Sequence, residues 1–431
     1  MALYIGIDFG TSGCRATAIN QEKEIVAEFS TAYPLPQTPH PGWSEQEAGV
    51  WWDKLLETLG GLLTLITPGD VCAIAVDGTS STLLVCDQHG EPLGPALMYN
   101  DVRSVDEFKR VSQFISSHNG AQGPGSSLAK MLYLQSRHPE ARYALHQSDW
   151  ILGRLSGHYG ISDENNALKM GYSPSSRSWP DGFDSLDINM QRLPEVYPPG
   201  TAVATLAPYL AKQFGLDSHT RLVTGTTDST AAFIATGARQ TGEAVTSLGS
   251  TLVTKIISSS PIYSAEHGIY SHKLFNRWLA GGASNSGGAA LLRFFSVSEM
   301  AELTPLLDPQ NDTGLDYYPL PATGERFPVA DPAFKPRLPE SLPDDQASRA
   351  IIFQGLLEGI SKIEADGYRL LKQLGAPYPE TVLSVGGGSI NPAWMKIRQR
   401  YLGVPVTRAK HHQASYGSAL LARHGMWHGK T

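Results

Sequence analysis

Cysteine, basic charge and long apolar runs are all scarce in this sequence, and each absence argues against a class of protein. The three cysteines form no Cys-x-x-Cys pair and no zinc-ligand spacing, which predicts reduced, buried thiols and a cytoplasmic location. Lys and Arg number 34 against 41 Asp and Glu, so the basic surplus of a nucleic-acid-binding or membrane-surface protein is missing. No apolar run approaches the roughly 18 residues that a membrane span needs. Because the pattern is already strand-like at Leu3, we expect no signal peptide.

Several sequence motifs of common enzyme classes are also missing. The Gly-x-Ser-x-Gly pattern of many serine hydrolases does not occur, which disfavours that class. The glycine-rich stretch 118–125 is not followed by Gly-Lys-Ser/Thr, so it does not match a Walker phosphate-binding loop. His411 and His412 lack a third ligand at metal-binding spacing. What remains is a chain of 431 residues with ordinary apolar content, long enough for two or three domains.

The first feature present is a strand-turn-strand pattern at Leu3–Ile19. An apolar run ends at Asp8, a Gly-Thr-Ser-Gly turn follows at 10–13, and a second apolar run continues, which predicts a β-hairpin. Positive φ angles at the two turn glycines would let the turn amides converge on an anion, with the hydroxyls of Thr11 and Ser12 as further donors. An acid beside a phosphate requires a cation between them, so the pattern fits a nucleotide-phosphate turn with a magnesium-facing Asp8. An ordinary hairpin with an acid near its turn explains this stretch equally well.

A second hairpin pattern at 244–257 repeats the first one. Its turn again combines a glycine with two hydroxyl residues, Gly249, Ser250 and Thr251. Two such hairpins about one domain apart predict an internal duplication, in which each half offers a phosphate-binding turn to a shared cleft.

Polar side chains follow several other predicted strands. Asp77 and Ser80 come after the apolar strand that begins at Val71. Asp101 and Arg103 follow the strand 95–99, where they suit either the hydroxyls of a small polyol or a solvated ion pair. Each strand end is therefore a candidate for ligand binding with a structural alternative.

Two further candidate sites lie outside these strand ends, one in a loop that precedes them and one at the start of a later helix. Trp43 and Glu45 lie in a proline-rich loop, where they could contact a sugar, although Trp43 could equally be a structural anchor. Asp228 begins a predicted helix, either as a catalytic base or as an ordinary first-turn acid.

The second half contains two further glycine-rich segments. Three glycines at 386–388 follow a predicted strand and could admit a flat ring, with Asn391 and Trp394 contacting a base; a flexible turn is the alternative. The segment 281–288 is interpreted as a glycine-rich entry to a helix whose amides could face an anion. In the first half, 139–145 is predicted to be a short helix. Residues 348–375 are predicted to form a long amphipathic helix.

Taken together, these motifs resemble those of the FGGY carbohydrate kinases, a branch of the actin-like sugar kinases. They occur in family order and cover nearly the whole chain. The matching segments are 7–12 (IDFGTS), 42–46 (GWSEQ), 100–103 (NDVR), 225–228 (GTTD), 247–251 (SLGST) and 386–391 (GGGSIN). The family's usual Trp-Met-Asp-x-Arg is altered here before Arg103, and the chain is short after residue 300, so no oligomeric state carries over.

The resemblance implies an α/β fold with two ribonuclease-H-like domains, of the actin-like ATPase kind. Residues 1–238 would bind sugar and supply the base, residues 239–431 would bind nucleotide, and ATP and sugar would meet in the cleft between them. The expected cofactors are ATP and Mg²⁺. Asp228 matches the family's general base, and Asp8 matches its magnesium-facing acid; both are candidate metal-site residues. The candidate ATP-binding residues are Thr11, Ser12, Gly249, Ser250, Thr251, Gly387, Gly388 and Asn391. The candidate sugar-binding residues are Asp8, Glu45, Ser80, Asp101 and Asp228.

The substrate prediction depends on one short motif. The Asp77-Gly78-Thr79-Ser80 strand end resembles ribulokinases more than the Gly-Gln-Met-His of bacterial xylulose kinases, so D-ribulose is predicted ahead of D-xylulose. The alternatives are a xylulose or polyol kinase, a catalytically weak sugar or nucleotide sensor on the same fold, and an actin-like or chaperone ATPase. The last class lacks the Trp43–Glu45 loop and would hydrolyse ATP without sugar. The predicted partners are only ATP and a small sugar, without nucleic acid or membrane.

Overall fold

The structure is a computed structural model that describes residues 1–116 and 118–428, apart from the side chains of Asp184, Trp427 and His428. The chain forms two compact units. The first contains Met1–Ala235, His272–Phe275 and the segment that begins at His411, and the second contains Thr236–Ser271 and Asn276–Lys410. No helix within the described ranges is long and apolar enough to cross a membrane.

The strands are β1 (Leu3–Phe9), β2 (Gly13–Ile19), β3 (Ile25–Ala32), β4 (Glu45–Gln46), β5 (Val71–Gly78), β6 (Leu83–Cys86), β7 (Ala96–Leu97), β8 (Tyr143–His146), β9 (Ile161–Asp163), β10 (Glu195–Tyr197), β11 (Ala202–Thr205), β12 (Arg221–Val223), β13 (Glu243–Leu248), β14 (Leu252–Ser258), β15 (His272–Leu274), β16 (Arg277–Ser284), β17 (Thr381–Val385) and β18 (Val406–Arg408). The α-helices are α1 (Ala48–Leu63), α2 (Val105–Val111), α3 (Ser127–Arg137), α4 (Gln147–Ser156), α5 (Glu164–Ala167), α6 (Pro208–Phe214), α7 (Asp228–Ala235), α8 (Gly288–Leu291), α9 (Val297–Leu303), α10 (Gln346–Gln373), α11 (Pro392–Leu402) and α12 (Ala414–His428).

The sheet of the first unit has the strand order β11-β12-β5-β1-β2-β3. Strand β2 pairs antiparallel with both β1 and β3, while β5 pairs in parallel with both β1 and β12. All seven residues of β1 are buried, as expected for a strand whose apolar run is continuous. The predicted first hairpin is therefore confirmed.

The second unit repeats this arrangement with strands β16-β14-β13-β17-β18. Strands β13, β14 and β16 are antiparallel, and β17 pairs in parallel with both β13 and β18. Three antiparallel strands followed by two parallel ones thus occur in both units. This recurrence confirms the predicted second hairpin and the predicted α/β fold with two related sheets.

Helix α12 packs on the first unit although it comes last in the sequence. Gly6 of β1 makes this possible, because a Cβ there would lie 2.0 Å from the main chain of Ser415 and of Ala419. Gly417 does the same on the other side of the helix, against the carbonyl of Ala231. The compact units therefore group this segment with residues before 236, whereas the domain prediction placed it within 239–431.

One predicted element is wrong, and another is confirmed only in part. Residues 139–145 do not form a helix, because Tyr143–His146 is a strand, β8, which pairs with β6. The predicted glycine-rich entry at 281–288 is half strand, since β16 extends to Ser284, although a helix does begin at Gly288. Its Gly282 is required by packing, as a Cβ there would lie 2.3 Å from the ring of Phe327.

Candidate active site

The turn of the first hairpin is compact and leaves main-chain donors available. Gly10 N–H donates to Gly13 O at 3.0 Å, and Ser12 O accepts from the N–H of Tyr33 at 2.9 Å. The N–H groups of Thr11 and Ser12 make no backbone hydrogen bond within the described part of the chain. These two donors can serve an anion, which supports the predicted phosphate contacts.

The predicted positive φ angles at Gly10 and Gly13 are wrong, since neither glycine adopts one. Gly13 has a different role. A Cβ on this residue would lie 3.0 Å from the carbonyl oxygen of Thr31 in β3, so glycine permits the close pairing of β2 with β3.

Asp8 lies beside a second buried acid. In the parallel pairing of β1 with β5, Asp8 is directly opposite Asp77, and the two residues are 6% and 0% exposed. The Ser418 hydroxyl donates to Asp77 Oδ2, while Asp8 Oδ2 lies 3.3 Å from a guanidinium nitrogen of Arg15, whose side chain is largely exposed. Sequence reasoning placed Asp77 at a strand end but gave it no role, because the register between β1 and β5 is not visible in the sequence.

The two carboxyls share a hydrogen bond. Burial raises the pKa of Asp77 well above its ordinary value, and the adjacent Asp8 raises it further. Burial also raises the pKa of Asp8, against the opposing effects of its hydrogen bond with Asp77 and the positive charge of Arg15. The closeness of the two buried acids therefore disfavours the state in which both are ionised.

Asp228 occupies the first turn of α7, shortly after β12. The side chain is half-buried, and its Oδ1 accepts from the N–H of Ser229 at 2.6 Å. Its negative charge also raises the pKa of Asp77, so the carboxylate of Asp228 is close to the Asp8–Asp77 pair. The first unit therefore collects three acids at the carboxyl ends of β1 and β5 and the start of α7.

This acid group is compatible with Mg²⁺, although it is not a closed metal cage. No three His, Cys, Asp or Glu side chains in the described ranges are arranged to hold a metal ion. Mg²⁺ usually keeps several waters and takes one or two carboxylates together with phosphate oxygens. Asp8 and Asp228 can supply those two carboxylates.

Asp101 and Glu45 contact protein groups instead of an open pocket. Asp101 is fully buried, and its carboxylate accepts from Ser44 N–H at 2.7 Å and from Arg103 Nε and Nη2 at 2.7–3.0 Å. Arg103 also donates to Glu45 at 2.7 Å, and its guanidinium lies 3.7 Å from the ring centroid of Trp43. Asp101 and Arg103 therefore form an ion pair, as one of the two interpretations of the sequence expected, but the pair is buried and not solvated. A sugar could reach Asp101 only by replacing one of these partners.

In the second unit, the hairpin turn is covered by the start of α8. Gly288 N–H donates to Gly249 O at 2.8 Å, and Ala289 N–H donates to Ser250 O at 3.1 Å. Gly287 allows this approach with a φ of 141°, since a Cβ there would lie 2.8 Å from the main chain of Ser250 and Thr251. The carbonyl oxygens of Gly249 and Ser250 thus accept hydrogen bonds from α8. This arrangement is compatible with a turn that presents N–H groups to a ligand.

After β17, the structure gives different surroundings to Gly387 and Gly388, which look equivalent in the sequence. Gly387 has open space beside it, whereas a Cβ on Gly388 would lie 2.5 Å from the ring of Trp394. Trp394 is 3% exposed and donates through Nε1 to Ser361, so the suggested aromatic contact with a base is wrong. The side-chain oxygen of Asn391 caps α11, and the side-chain nitrogen donates one N–H to the Thr304 hydroxyl. The second N–H of that nitrogen is left for other contacts.

A buried carboxyl of the first unit has a strongly shifted pKa. Asp163 is 2% exposed and accepts from the N–H groups of Asn165 and Asn166, which begin α5. Burial raises the pKa of Asp163 to about 7, and the neighbouring charge of Asp149 contributes to this shift.

This shift predicts a pH-dependent stability. A folded-state pKa above the unfolded value of 3.8 contributes stability that is complete below pH 3.8 and lost as pH rises through 7. Between pH 5 and 8, the unfolding free energy of the wild type relative to Asp163→Asn should therefore fall by up to about 3 kcal/mol. Urea unfolding of both proteins at several pH values measures this difference in unfolding free energy. Asp345→Asn is the matched control, because Asp345 caps α10 but is exposed; a parallel pH slope in both comparisons would contradict the prediction.

The two repeated sheets, the hairpin turns and the acid group define an ATP-dependent phosphotransferase of the sugar-kinase class. Two family models cover most of the chain. The N-terminal domain of the FGGY family of carbohydrate kinases matches residues 3–235, and the C-terminal domain of that family matches residues 244–426. The chain belongs to the FGGY family of carbohydrate kinases. It is therefore a carbohydrate kinase, and kinases of this family use ATP.

Relatives of known name match nearly the whole chain. The xylulose kinase of Staphylococcus xylosus is 24% identical over 99% of this chain and 91% of that protein. The xylulose kinase of Escherichia coli K12 is 26% identical over 92% of this chain and 84% of its own length.

Solved structures show the same fold with different named substrates. A Brucella ovis kinase, named as a xyloylose kinase, covers 98% of this chain and 90% of its own at 22% identity and a TM-score of 0.88. The glycerol kinase of Plasmodium falciparum with ADP covers 99% and 90% at 18% identity and a TM-score of 0.85. The fold is therefore shared by kinases of unlike substrates and does not select the sugar.

Proposed function

We propose that this chain phosphorylates a ketopentose with ATP and Mg²⁺, and that D-xylulose is its first candidate substrate. The observation that carries the proposal is the group Asp8, Asp77 and Asp228 within an FGGY fold. D-Xylulose is placed first because the two relatives described above are xylulose kinases that match over most of their length. The D-ribulose preference expected from the sequence has no support from these relatives. D-Ribulose stays second because of the Asp77–Ser80 strand end.

In the proposed mechanism Asp228 is the base, Asp8 and Asp228 are the metal-site carboxylates, and Asp77 supports Asp8. Asp228 accepts the proton of the sugar hydroxyl as its oxygen forms a bond to the γ-phosphorus, while the bond to the bridging oxygen breaks and ADP leaves. Asp8 and Asp228 would hold Mg²⁺, which neutralises phosphate charge when bound. Asp77, which lies directly opposite Asp8, supports the position of that carboxyl. Asp228 is half-buried, whereas Asp8 and Asp77 are buried, so Asp228 is the most accessible of these acids to a sugar hydroxyl.

The nucleotide is assigned to the two hairpin turns and the segment after β17. Thr11 and Ser12 would contact phosphate in the first unit, and Gly249, Ser250 and Thr251 in the second. Gly387, Gly388 and Asn391 would contact adenosine, with Gly387 as the residue whose open side can lie against the ring. Positioning and charge neutralisation supply most of the catalysis in this class of reaction.

A substrate panel tests the proposal. ADP formation is measured with saturating magnesium ATP and D-xylulose, D-ribulose, xylitol, ribitol or glycerol, and compared as kcat/KM. We expect at least one ketopentose to exceed the polyols by tenfold or more, with D-xylulose preferred. Preference for D-ribulose would restore the substrate expected from the sequence. ADP formation that no sugar increases would contradict the kinase proposal and favour an ATPase, and binding of sugar without turnover would favour a sensor.

A further inference from the structure

The short turn between β5 and β6 carries Ser80, a candidate sugar contact, and its conformation is unusual. Ser81 has a φ of 66°, which non-glycine residues seldom adopt. The hydroxyls of Thr79 and Thr82 share a hydrogen bond of 2.6 Å across the turn. The Ser80 Oγ is buried and has no hydrogen-bond partner within the described ranges. The turn is therefore strained and holds an unused hydroxyl, so other groups must keep it in place.

Gln147 holds the first half of this turn from the start of α4. The side-chain Oε1 accepts from the N–H of Thr79 at 3.0 Å and from the Thr79 hydroxyl at 2.9 Å. The main-chain N–H of Gln147 donates to Thr82 O at 3.3 Å. Gly78 lets the amide reach the strand, because a Cβ there would lie 2.9 Å from Gln147 Oε1. The side chain is fully buried.

The other end of the Gln147 amide has no partner. Because a main-chain N–H can only donate, the bond with Thr79 identifies the bonded atom as oxygen and leaves Nε2 on the opposite side. Nε2 is buried and has no acceptor among the residues that the structure describes. An unpaired buried donor destabilises the folded state, because its hydrogen bond to water is lost without replacement. Because this unpaired donor does not stabilise the fold, we attribute the presence of Gln147 to its two hydrogen bonds with Thr79.

Lys130 holds the second half of the turn from α3. Its Nζ donates to the carbonyl oxygen of Ser81 at 2.9 Å and to that of Met98 at 2.6 Å. The side chain is fully buried. Met98 lies just after β7, so one ammonium group connects the Ser80 turn with the strand end that precedes Asp101.

We propose that Gln147 and Lys130 are positioning residues that fix the Ser80 turn and thereby set the apparent affinity for the sugar. The proposal rests on the proposed sugar-kinase function and adds two residues that none of the family motifs contains. Neither side chain needs to touch substrate: each acts through main-chain atoms of the turn. The substrate class they serve is a small polyhydroxylated ketone whose hydroxyl meets Ser80.

The test uses two variants that keep side-chain size but remove the hydrogen bonds, Gln147→Met and Lys130→Met. Each should raise the KM for the preferred ketopentose about tenfold, which is about 1.4 kcal/mol, while kcat changes less than threefold and the KM for ATP is unchanged. Gln147→Glu keeps an acceptor oxygen for the N–H and the hydroxyl of Thr79 and should restore most of the sugar affinity. A structural role alone would not give this KM-specific pattern with rescue.

The matched control is Gln354→Met in α10. Gln354 is 4% exposed and hydrogen-bonded to Asp308 and Asn311 in the second unit. This variant should lose stability without a change in sugar KM. Equal KM effects in the control and in Gln147→Met would overturn the proposal.

Direct binding separates this inference from the proposed function. D-Xylulose and D-ribulose are titrated by calorimetry into the wild type and the folded variants in the absence of ATP. Wild-type binding that weakens about tenfold in the variants supports positioning even if no phosphorylation occurs. Sugar affinities and KM values within twofold of the wild type in every folded variant would overturn it. A wild type that binds and phosphorylates neither sugar would refute the proposed substrate and the inference together.

Discussion

An Asp228→Ala variant is expected to lose about 10²–10⁴-fold in sugar-dependent kcat, the range that a positioned general base contributes. The physical reason is that the sugar hydroxyl then keeps its proton while it attacks the γ-phosphate. Nucleotide binding should remain nearly intact, because the carboxylate is not among the groups assigned to ATP. Steady-state ADP formation measures the rate, and calorimetry with ADP measures nucleotide affinity.

Two further variants make this prediction specific. Asp228→Asn keeps an acceptor for the N–H of Ser229 at the start of α7, so it should fold normally and still lose the rate. Asp217→Ala removes an exposed acid that caps a nearby turn and should leave kcat unchanged. Near-normal turnover in both Asp228 variants would remove this residue from the role of base.

An Asp8→Ala variant is expected to lower kcat about 10²–10³-fold and to raise the Mg²⁺ concentration needed for half-maximal rate. Loss of the carboxylate removes one proposed Mg²⁺ ligand and the neighbour that lies opposite Asp77. Initial rates across a magnesium titration at fixed ATP measure both effects.

The control for Asp8 preserves its neighbour. Asp8→Asn keeps a hydrogen-bonding group opposite Asp77 but has no negative charge, so it should fold like the wild type and retain the magnesium defect. Asp53→Ala removes an exposed acid on α1 and should have no effect. If the magnesium titration of Asp8→Ala matches that of the wild type at a reduced rate, the assignment of Asp8 to Mg²⁺ is incorrect.

Local patterns in the sequence predicted much of the fold because both hairpins alternate apolar strands with compact polar turns. The pattern at Leu3–Ile19 and its repeat at 244–257 identified the central strands of both sheets. Helix α10 was also predicted within two residues at each end, because its apolar stripe continues over many turns.

Short elements were harder to predict because partners distant in the chain decide them. Tyr143–His146 has too few residues for a periodic signal, and it is a strand because β6 offers hydrogen bonds along its edge. The glycines of β16 resemble a loop in sequence. They lie in a strand because β16 pairs with β14, and they are glycines because side chains would have no room against Thr254 and Phe327.

The candidate site divides in the same way. The sequence by itself determined the family motifs, the acids Asp8 and Asp228, and the two phosphate-type turns, because each is encoded within a few consecutive residues. Only the tertiary structure decided that Asp77 faces Asp8, that Asp101 is enclosed by Arg103, and that Gln147 and Lys130 hold the Ser80 turn. Those contacts join residues far apart in the chain, and they depend on strand register and side-chain burial, which no local pattern specifies.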